Sequence, residues 1–281
     1  MVKIVTDSGS DIPLEEANRL GITVVPVYVR FGNETYRDGV DINCDELYHK
    51  LANDPVHPST AAPSPGDFAA AYEQVARETS EIVSIHITSK HSAVYDAALM
   101  GKEIAQDKNK RLKMEVVDSK GVTMWQGLVA MAAAKAAEAG ASLQQVLAEA
   151  QQTIKQLHVL ALLDTLKYAI KGGRLGKGFL AVESVLQVKP LLTLRDGQLH
   201  PAGIVRTRSK GIERLREFLR SIMQAQDIAI VHSTTADEAH SLADYARSLF
   251  PSIIPKVIRL GPALGVHGGP GALVAVVREG K

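Results

Sequence analysis

One titratable side chain of this sequence stands in a glycine-rich segment near the end of the chain, His267-Gly268-Gly269-Pro270-Gly271-Ala272. Glycine tolerates positive φ angles and lets a ligand approach the backbone closely. The apolar residues 273–277 predict a buried strand that would anchor this bend and hold His267 on a loop. An imidazole in such a place can donate or accept a hydrogen bond or take up a proton. The alternative is that His267 caps the turn or bonds a carbonyl group.

Hydroxyl and carboxyl side chains follow three predicted strands in the first half of the sequence. They are Thr6-Asp7-Ser8, Thr88-Ser89-Lys90-His91-Ser92 and Asp118-Ser119. In doubly wound α/β sheets, ligands bind beyond the carboxyl ends of the strands, so these side chains are expected to converge on one edge. The alternative is that they are ordinary helix N-caps, which is the interpretation we favour for Asp7, Ser64 and Ser119.

Thr60 and Ser92 are harder to explain as helix caps. Thr60 lies several residues before the helix that follows it, in the polar segment 59–68. Ser92 follows Ser89, which is the better candidate for the cap of the next helix. Both hydroxyl groups are therefore candidates for binding a ligand.

Several kinds of chemistry lack their sequence signature. There is no His-Glu-x-x-His motif and no close group of His, Asp and Glu, so a metal site is not expected. Residues 6–10 lack the first glycine of a nucleophile elbow. Residues 172–178 resemble a phosphate loop, but the glycine spacing is one residue short and no Ser or Thr follows Lys177.

Composition excludes further classes of partner. The net charge is +1 at pH 7 and charges of both signs are interleaved, so neither nucleic acid nor an anionic membrane is an expected partner. Cys44 is the single cysteine, which excludes an internal disulfide and fits a reducing compartment. The sequence shows no signal peptide and no apolar stretch long enough to span a bilayer. We therefore expect a cytoplasmic protein.

The elements that must position these residues alternate between strands and helices in the first half. Apolar runs predict strands at 3–6, 22–31, 81–87 and 113–117. Helical patterns lie at 14–20, 47–51, 67–78, 92–105 and 125–139, with a proline-rich loop at 54–66. Crossover helices between apolar strands predict a parallel, Rossmann-like sheet with helices on both faces.

The second half has a different pattern. A helix at 142–157 follows the previous helix directly, which indicates a domain junction. Strands are predicted at 159–163, 188–194, 199–205, 228–232 and 256–260, with an Asp196-Gly197 hairpin turn between the second and third. The prediction is an α/β protein of two domains, 1–157 with a parallel sheet and 158–281 with a mixed sheet.

Six motifs together resemble one known family across nearly the whole chain. They are Thr6-Asp7-Ser8, Thr60-x-x-Pro63-Ser64-Pro65-Gly66-Asp67-Phe68, Ser89-Lys90-x-Ser92-x-x-Tyr95, Val117-Asp118-Ser119, Lys171-Gly172-Gly173-Arg174 and His267-x-Gly269-Pro270-Gly271. In this combination the chain is similar to the DegV family of bacterial fatty-acid-binding proteins. The resemblance implies two α/β domains with a ligand tunnel at their interface. It also implies that Thr60, Ser92 and His267 bind the carboxylate of a long-chain fatty acid.

The resemblance further implies a partner and no cofactor. The bound acid, such as palmitate, stearate or oleate, would be presented to a separate fatty-acid kinase that forms an acyl phosphate. Arg174 would be an exposed cation that docks the kinase or its nucleotide, or else a member of a surface ion pair. This chain departs from the family's usual Leu-Ser-Gly-Thr-Tyr run, where it has His91-Ser92-Ala93-Val94-Tyr95. Ala93 narrows the space around Ser92 and Val94 removes a hydroxyl, so head-group geometry or chain preference is expected to differ.

Three functions remain in view. The first is a carrier that is not itself an enzyme. The second is a self-sufficient hydrolase or phosphotransferase with Ser92 as nucleophile and His267 as base, although no residue near His267 in the sequence is an obvious orienting group. The third is a regulatory module that reports lipid status to another protein.

Overall fold

The computed structural model describes residues 1–175 and 188–280, and these form two compact units. The first unit contains Met1–Tyr28 and Thr60–Lys155, and the second contains Val29–Ser59 and Gln156–Lys281. Residues 176–178, the end of the segment that resembles a phosphate loop, lie outside the described residues.

The elements are numbered in chain order over the described residues. The strands are β1 (Lys3–Asp7), β2 (Ile22–Val25), β3 (Tyr28–Phe31), β4 (Glu34–Arg37), β5 (Ser59–Ala61), β6 (Glu81–His86), β7 (Lys113–Asp118), β8 (Leu157–Leu162), β9 (Lys189–Arg195), β10 (Gln198–Val205), β11 (Ala225–His232), β12 (Lys256–Arg259) and β13 (Leu273–Glu279). The helices are α1 (Leu14–Arg19), α2 (Cys44–Asn53), α3 (Pro65–Val75), α4 (Val94–Lys108), α5 (Met124–Glu138), α6 (Leu143–Gln156), α7 (Lys167–Lys171), α8 (Arg208–Ser221), α9 (Ala236–Leu249) and α10 (Pro262–Gly268).

The sheet of the first unit is parallel, as the alternating pattern predicts. Its order is β2-β1-β6-β7, and each neighbouring pair is parallel. Val5, Val83 and Ile85 are fully buried in it, which is why these strands read as continuous apolar runs. The register pairs Thr6 with Ile85, so the carboxyl ends of β1 and β6 lie side by side.

The sheet of the second unit is mixed, which confirms the second prediction. Its order is β10-β9-β8-β13-β11-β12, with β11 and β12 parallel and the other pairs antiparallel. Asp196 and Gly197 have φ angles of 49° and 81° between β9 and β10, as a type I′ hairpin turn requires. Fully buried Leu162, Leu215 and Ile230 belong to the core packed on this sheet.

The predicted strand 22–31 is wrong, because the chain divides at Pro26 into β2 and β3. Proline has no N–H for a sheet ladder, so a strand is interrupted there. The two parts then enter different sheets, and β3 belongs to a three-stranded sheet of order β4-β3-β5. β5 lies within the predicted loop 54–66, and β4 lies in a stretch for which the sequence predicted no strand.

Residues 29–59 belong to the second unit, whereas the sequence division at 157 places them in the first domain. Tyr48 donates a hydrogen bond from Oη to the carbonyl of Leu260 at 3.2 Å. Leu47 and Val266 are fully buried in one apolar cluster with Phe31. These contacts join stretches more than two hundred residues apart, and nothing in local sequence encodes that proximity. The ligand tunnel stays a prediction.

Among the described residues, no helix combines the length and the apolar character that crossing a membrane requires.

Candidate functional site

Asp7 ends β1 and is fully buried, and its carboxylate accepts four hydrogen bonds. Oδ1 accepts from the backbone N–H of Gly9 at 3.0 Å, and Oδ2 from that of Ile87 at 3.1 Å. Oδ2 also lies 2.9 Å from Nδ1 of His86 and 2.9 Å from Nε2 of Gln126. A buried carboxylate needs such donors because desolvation otherwise disfavours its charged form. Asp7 therefore caps the short 3₁₀ helix that follows and holds the ends of two strands together.

A directional chain of hydrogen bonds continues from Asp7 into the core. Ser84 Oγ lies 2.6 Å from Nε2 of His86 and 2.9 Å from the hydroxyl of Tyr72. When Nδ1 of His86 donates to Asp7, a neutral ring accepts at Nε2 from Ser84, which in turn accepts from Tyr72. Burial raises the pKa of Tyr72, so its hydroxyl keeps its proton. We name these five residues, Tyr72, Ser84, His86, Asp7 and Gln126, the Asp7 network.

Other hydroxyl groups at this edge also have partners within the protein. Ser8 Oγ accepts from the backbone N–H of Val27 at 3.0 Å. Ser89 donates to Oδ2 of Asp118 at 2.6 Å and so does not cap α4, contrary to expectation. Burial raises the pKa of Asp118, but hydrogen bonds from Ser89 and the neighbouring lysine outweigh it and lower that pKa. Ser64 caps α3 within a capping box, as predicted. The predicted convergence of polar groups is real, but many of them bind one another.

Ser92 and Thr60 occupy different positions in the first unit. Ser92 is half-buried just before α4, and its Oγ accepts a hydrogen bond from the backbone N–H of Val94 at 3.3 Å. Its own O–H has no acceptor in the part of the chain that the structure describes, so it can donate to a ligand. Thr60 is the central residue of β5 and is half-buried.

His267 lies in the last turn of α10, so the expectation that it stands on a loop is wrong. Proline is favoured in the first turn of a helix, and Pro262 begins α10 earlier than the glycine pattern suggested. The positive φ angles occur after the helix, at Gly269 (69°) and Gly271 (80°). The ring of His267 is half-buried against Gly172, where an added Cβ would lie 2.1 Å from Nδ1. Gly172 is therefore the residue that leaves room for this imidazole.

Arg174 also contacts Gly172 in the second unit. Its Nη1 donates to the carbonyl oxygen of Gly172 at 2.5 Å, and the side chain is half-buried rather than exposed as predicted. The structure thus brings His267 and Arg174 to one glycine, while Thr60 and Ser92 belong to the first unit.

Tyr168, beside the turn after α10, and His57, which lies against Tyr168, were not predicted as site residues. The ring of Tyr168 fills the space beside Gly269, where an added Cβ would lie 2.2 Å from its Cδ2. His57 lies against Tyr168 with ring centroids 5.9 Å apart. Burial, and after it the charges of Lys171 and Lys167, lower the pKa of His57. The position of His57, three residues before Thr60, was the sequence signal that could have drawn attention to it.

Arg208 holds the turn that follows α10. Its Nη1 donates to the carbonyl of Gly271 at 2.5 Å and lies 3.3 Å from Oδ1 of Asp164. Its Nε lies 3.1 Å from a carboxylate oxygen of Glu238, so the guanidinium is held by two acids. This link between α8, α9 and the turn fixes the backbone just beyond His267.

Over residues 1–175 and 188–280, no three His, Cys, Asp or Glu side chains are grouped as metal ligands would be.

Curated proteins of two bacteria are similar to this chain over nearly their whole length. A DegV domain-containing protein of Streptomyces coelicolor is 36% identical over 281 residues, covering 98% of each chain. Another, from Caldanaerobacter subterraneus subsp. tengcongensis, is 31% identical over 276 residues, covering 96% of each.

Solved structures share the fold. A fatty-acid-binding DegV family protein from Thermus thermophilus has a TM-score of 0.88 and 30% identity, with 99% of each chain covered. The fatty-acid-binding protein DegV from Bacillus subtilis has a TM-score of 0.88 and 26% identity, again over 99% of each chain. A stearic-acid-binding protein from Eubacterium ventriosum has a TM-score of 0.88 and 27% identity over the same share.

The family model that matches is described as an uncharacterised protein of the DegV family, and it covers residues 1–279. That span contains all six motifs quoted from the sequence, from the end of β1 to the turn after α10. The chain therefore belongs to the DegV family.

Proposed function

We propose that this protein binds one long-chain fatty acid, such as palmitate, stearate or oleate, and is a carrier rather than an enzyme. The observation that carries the proposal is similarity over 99% of the chain to solved proteins that bind fatty acids. In this proposal Thr60, Ser92 and His267 hold the carboxylate and the tail is buried.

The head group needs donors because a bare buried carboxylate costs several kcal/mol. Ser92 supports this role because its oxygen is already occupied by the N–H of Val94, which leaves its proton for an acceptor. His267 supplies a ring nitrogen from the end of α10, and Thr60 supplies a second hydroxyl. The three side chains supply donors without any metal ion.

The tail supplies the affinity. Each buried methylene contributes about 0.8 kcal/mol, so a sixteen-carbon chain gains about 10 kcal/mol before the costs of association and ordering. Polar interactions at the head group orient the ligand and offset the cost of burying its charge, so losing them cancels much of the gain from the tail.

A separate fatty-acid kinase would use the bound acid. A carboxylate oxygen attacks the γ-phosphorus of ATP on the kinase, the bond from that phosphorus to the ADP oxygen breaks, and acyl phosphate and ADP form. Arg174, half-buried beside Gly172, is the cation proposed to dock the kinase or its nucleotide.

The first test is mass spectrometry of lipid extracted from the purified protein. We expect near-equimolar fatty acid in the parent and little in the Thr60→Ala, Ser92→Ala variant, while both fold. Ser64→Ala is the matched control, because it also removes a hydroxyl that accepts from a backbone N–H at a helix start in the first unit. An empty parent that hydrolyses esters would instead favour the hydrolase with Ser92 and His267.

The kinase step is tested separately. We expect Arg174→Glu to retain fatty acid but to lose most acyl-phosphate formation with a cognate kinase and ATP. Arg111→Glu, at an exposed arginine of the first unit, is the control for the change of charge. Undiminished acyl-phosphate formation by Arg174→Glu would remove the docking role.

A further inference from the structure

Two lysines begin and end α7, and neither has a counter-ion among the residues that the structure describes. Lys167 and Lys171 are exposed at i and i+4, a spacing that places their side chains on one face of a helix. Like charges at this spacing repel and destabilise a helix. No carboxylate of the described residues forms an ion pair with either ammonium group, whereas nearby Lys189 is paired with Asp164 at 3.1 Å.

His57 adds a polar group with unused hydrogen-bonding capacity. Its Nε2 is buried and has no hydrogen-bond partner in the described part of the chain. The ring is close enough to Lys171 and Lys167 for their charges to lower its pKa, after the larger effect of burial. The lowered pKa of His57 favours its neutral form at pH 7, in which one ring nitrogen carries a proton to donate. We name His57, Lys167 and Lys171 the basic cluster.

The basic cluster is connected to His267 through residues that all belong to the second unit. His57 contacts the ring of Tyr168, and Tyr168 fills the space beside Gly269, two residues from His267. On the other side, Gly172 follows Lys171 directly and lies against the ring of His267. An anion held by the cluster would thus lie close to the proposed carboxylate site.

We propose that the basic cluster binds the phosphoryl group of an acyl phosphate. This inference rests on the proposed function, in which transfer from ATP turns the bound carboxylate into an acyl phosphate. The acyl phosphate carries a phosphoryl dianion next to the former carboxylate, and this extra charge needs cations. A carrier that bound only fatty acid would need no cations beyond the carboxylate site. Lysine ammonium groups bind phosphate as point charges, and a neutral imidazole adds one donor.

The test uses (2-oxoheptadecyl)phosphonate, in which a methylene replaces the bridging oxygen of palmitoyl phosphate. We expect a Lys167→Gln, Lys171→Gln variant of the full chain to bind this phosphonate at least tenfold more weakly than the parent does. Palmitate affinity should change less than twofold. Lys210→Gln removes an exposed lysine elsewhere in the second unit and should change neither affinity.

Three outcomes would overturn the proposal. Equal phosphonate affinity in variant and parent would show that the lysines do not meet the phosphoryl group. An equal loss for palmitate would assign them to the carboxylate. Unchanged phosphonate binding with loss of acyl-phosphate formation would make them a docking surface for an acidic partner protein.

A second probe separates this inference from the proposed function. Inorganic phosphate should shift the imidazole NMR signals of His57 in the parent and leave them unchanged in the double lysine variant. If the parent bound no palmitate but phosphate still shifted His57, fatty-acid binding would fail while the anion site stood. If phosphate left His57 unchanged while palmitate bound, the anion site would fail alone.

Discussion

His86 and His57 are both beside polar groups, but their surroundings are opposite. Both nitrogens of His86 are bonded within the Asp7 network, at 2.9 Å to Asp7 and 2.6 Å to Ser84. His57 has a buried Nε2 without a partner in the described chain and two lysines whose charges act on its ring. Polar groups that satisfy each other fix strand ends, since an unmet donor or acceptor costs free energy. Polar groups left without partners are the ones available to a ligand.

The largest expected effect comes from removing the centre of the Asp7 network. Asp7→Asn should lower the free energy of unfolding by about 3–5 kcal/mol, because an amide faces donors that had met a carboxylate. Urea denaturation at pH 7 measures the loss. Asp107→Asn, at an exposed acid that pairs with Lys110, is the control and should change little. A loss below about 1 kcal/mol for Asp7→Asn would show that the Asp7 network contributes little to stability.

Breaking the Asp7 network at a hydrogen bond farther from Asp7 should lower the free energy of unfolding by a smaller amount. Ser84→Ala leaves His86 Nε2 without its donor and the hydroxyl of Tyr72 without its acceptor. We expect a loss of about 1–3 kcal/mol in the free energy of unfolding, with fatty-acid content unchanged. Ser248→Ala, which removes an exposed hydroxyl bonded to a helix carbonyl, is the matched control. Loss of bound lipid from Ser84→Ala would mean that the network serves the ligand as well as the fold.

Substitutions around His267 should change the affinity for fatty acid more than the stability of the protein. Gly172 has a helical φ of −73°, so alanine fits the backbone there, but its Cβ would displace the imidazole of His267. Gly172→Ala should weaken fatty-acid affinity at least tenfold, or about 1.4 kcal/mol, measured by displacement of a fluorescent fatty acid.

Gly173→Ala is the matched control for this substitution. Its φ of +69° makes alanine strained, but an added Cβ would meet nothing within 4 Å. It should therefore cost stability and leave affinity unchanged. If Gly173→Ala weakened fatty-acid affinity and Gly172→Ala did not, His267 would not be a ligand of the head group.

The smallest expected effect depends on pH. The pKa of Asp118 is raised by burial but lowered overall, below 3.8, by hydrogen bonds that include the one from Ser89. A lowered pKa gives stability that is present above the ordinary value and lost as pH falls through the folded value. Ser89→Ala should therefore be less stable than the parent by about 1 kcal/mol at pH 7. The difference should shrink below about pH 4, as urea denaturation across pH 2–7 would reveal. A difference independent of pH would assign the loss to packing.

Local sequence predicted much of the architecture because the deciding interactions are short-range. The Asp196-Gly197 turn, the Ser64 cap and the alternation of strands and helices each depend on residues within a few positions. Two predictions failed because a proline overrode the pattern of the residues around it. Pro26 divided an apolar run, and Pro262 started a helix that carries His267 away from the predicted loop.

The candidate site was only partly predictable. Thr60, Ser92, His267 and Arg174 follow from motifs in the sequence, but their neighbours do not. Gly172 leaves space for an imidazole 95 residues away, which no local pattern encodes. Ser89 was the better cap by position, yet its hydroxyl bonds Asp118, because parallel pairing of β6 and β7 brings the two strand ends together.

The sequence by itself determined most of the alternation of strands and helices and the parallel and mixed types of the two larger sheets. It also determined the set of hydroxyl, imidazole and cationic side chains that can bind an anion. Only the tertiary structure decided which of these side chains satisfy one another and which are left for a ligand. It also decided that residues 29–59 pack with the second unit. The physical reason is that secondary structure and turns depend on local backbone preferences and hydrophobic periodicity. The pairing of buried polar groups depends instead on which distant strands and helices the chain brings into contact.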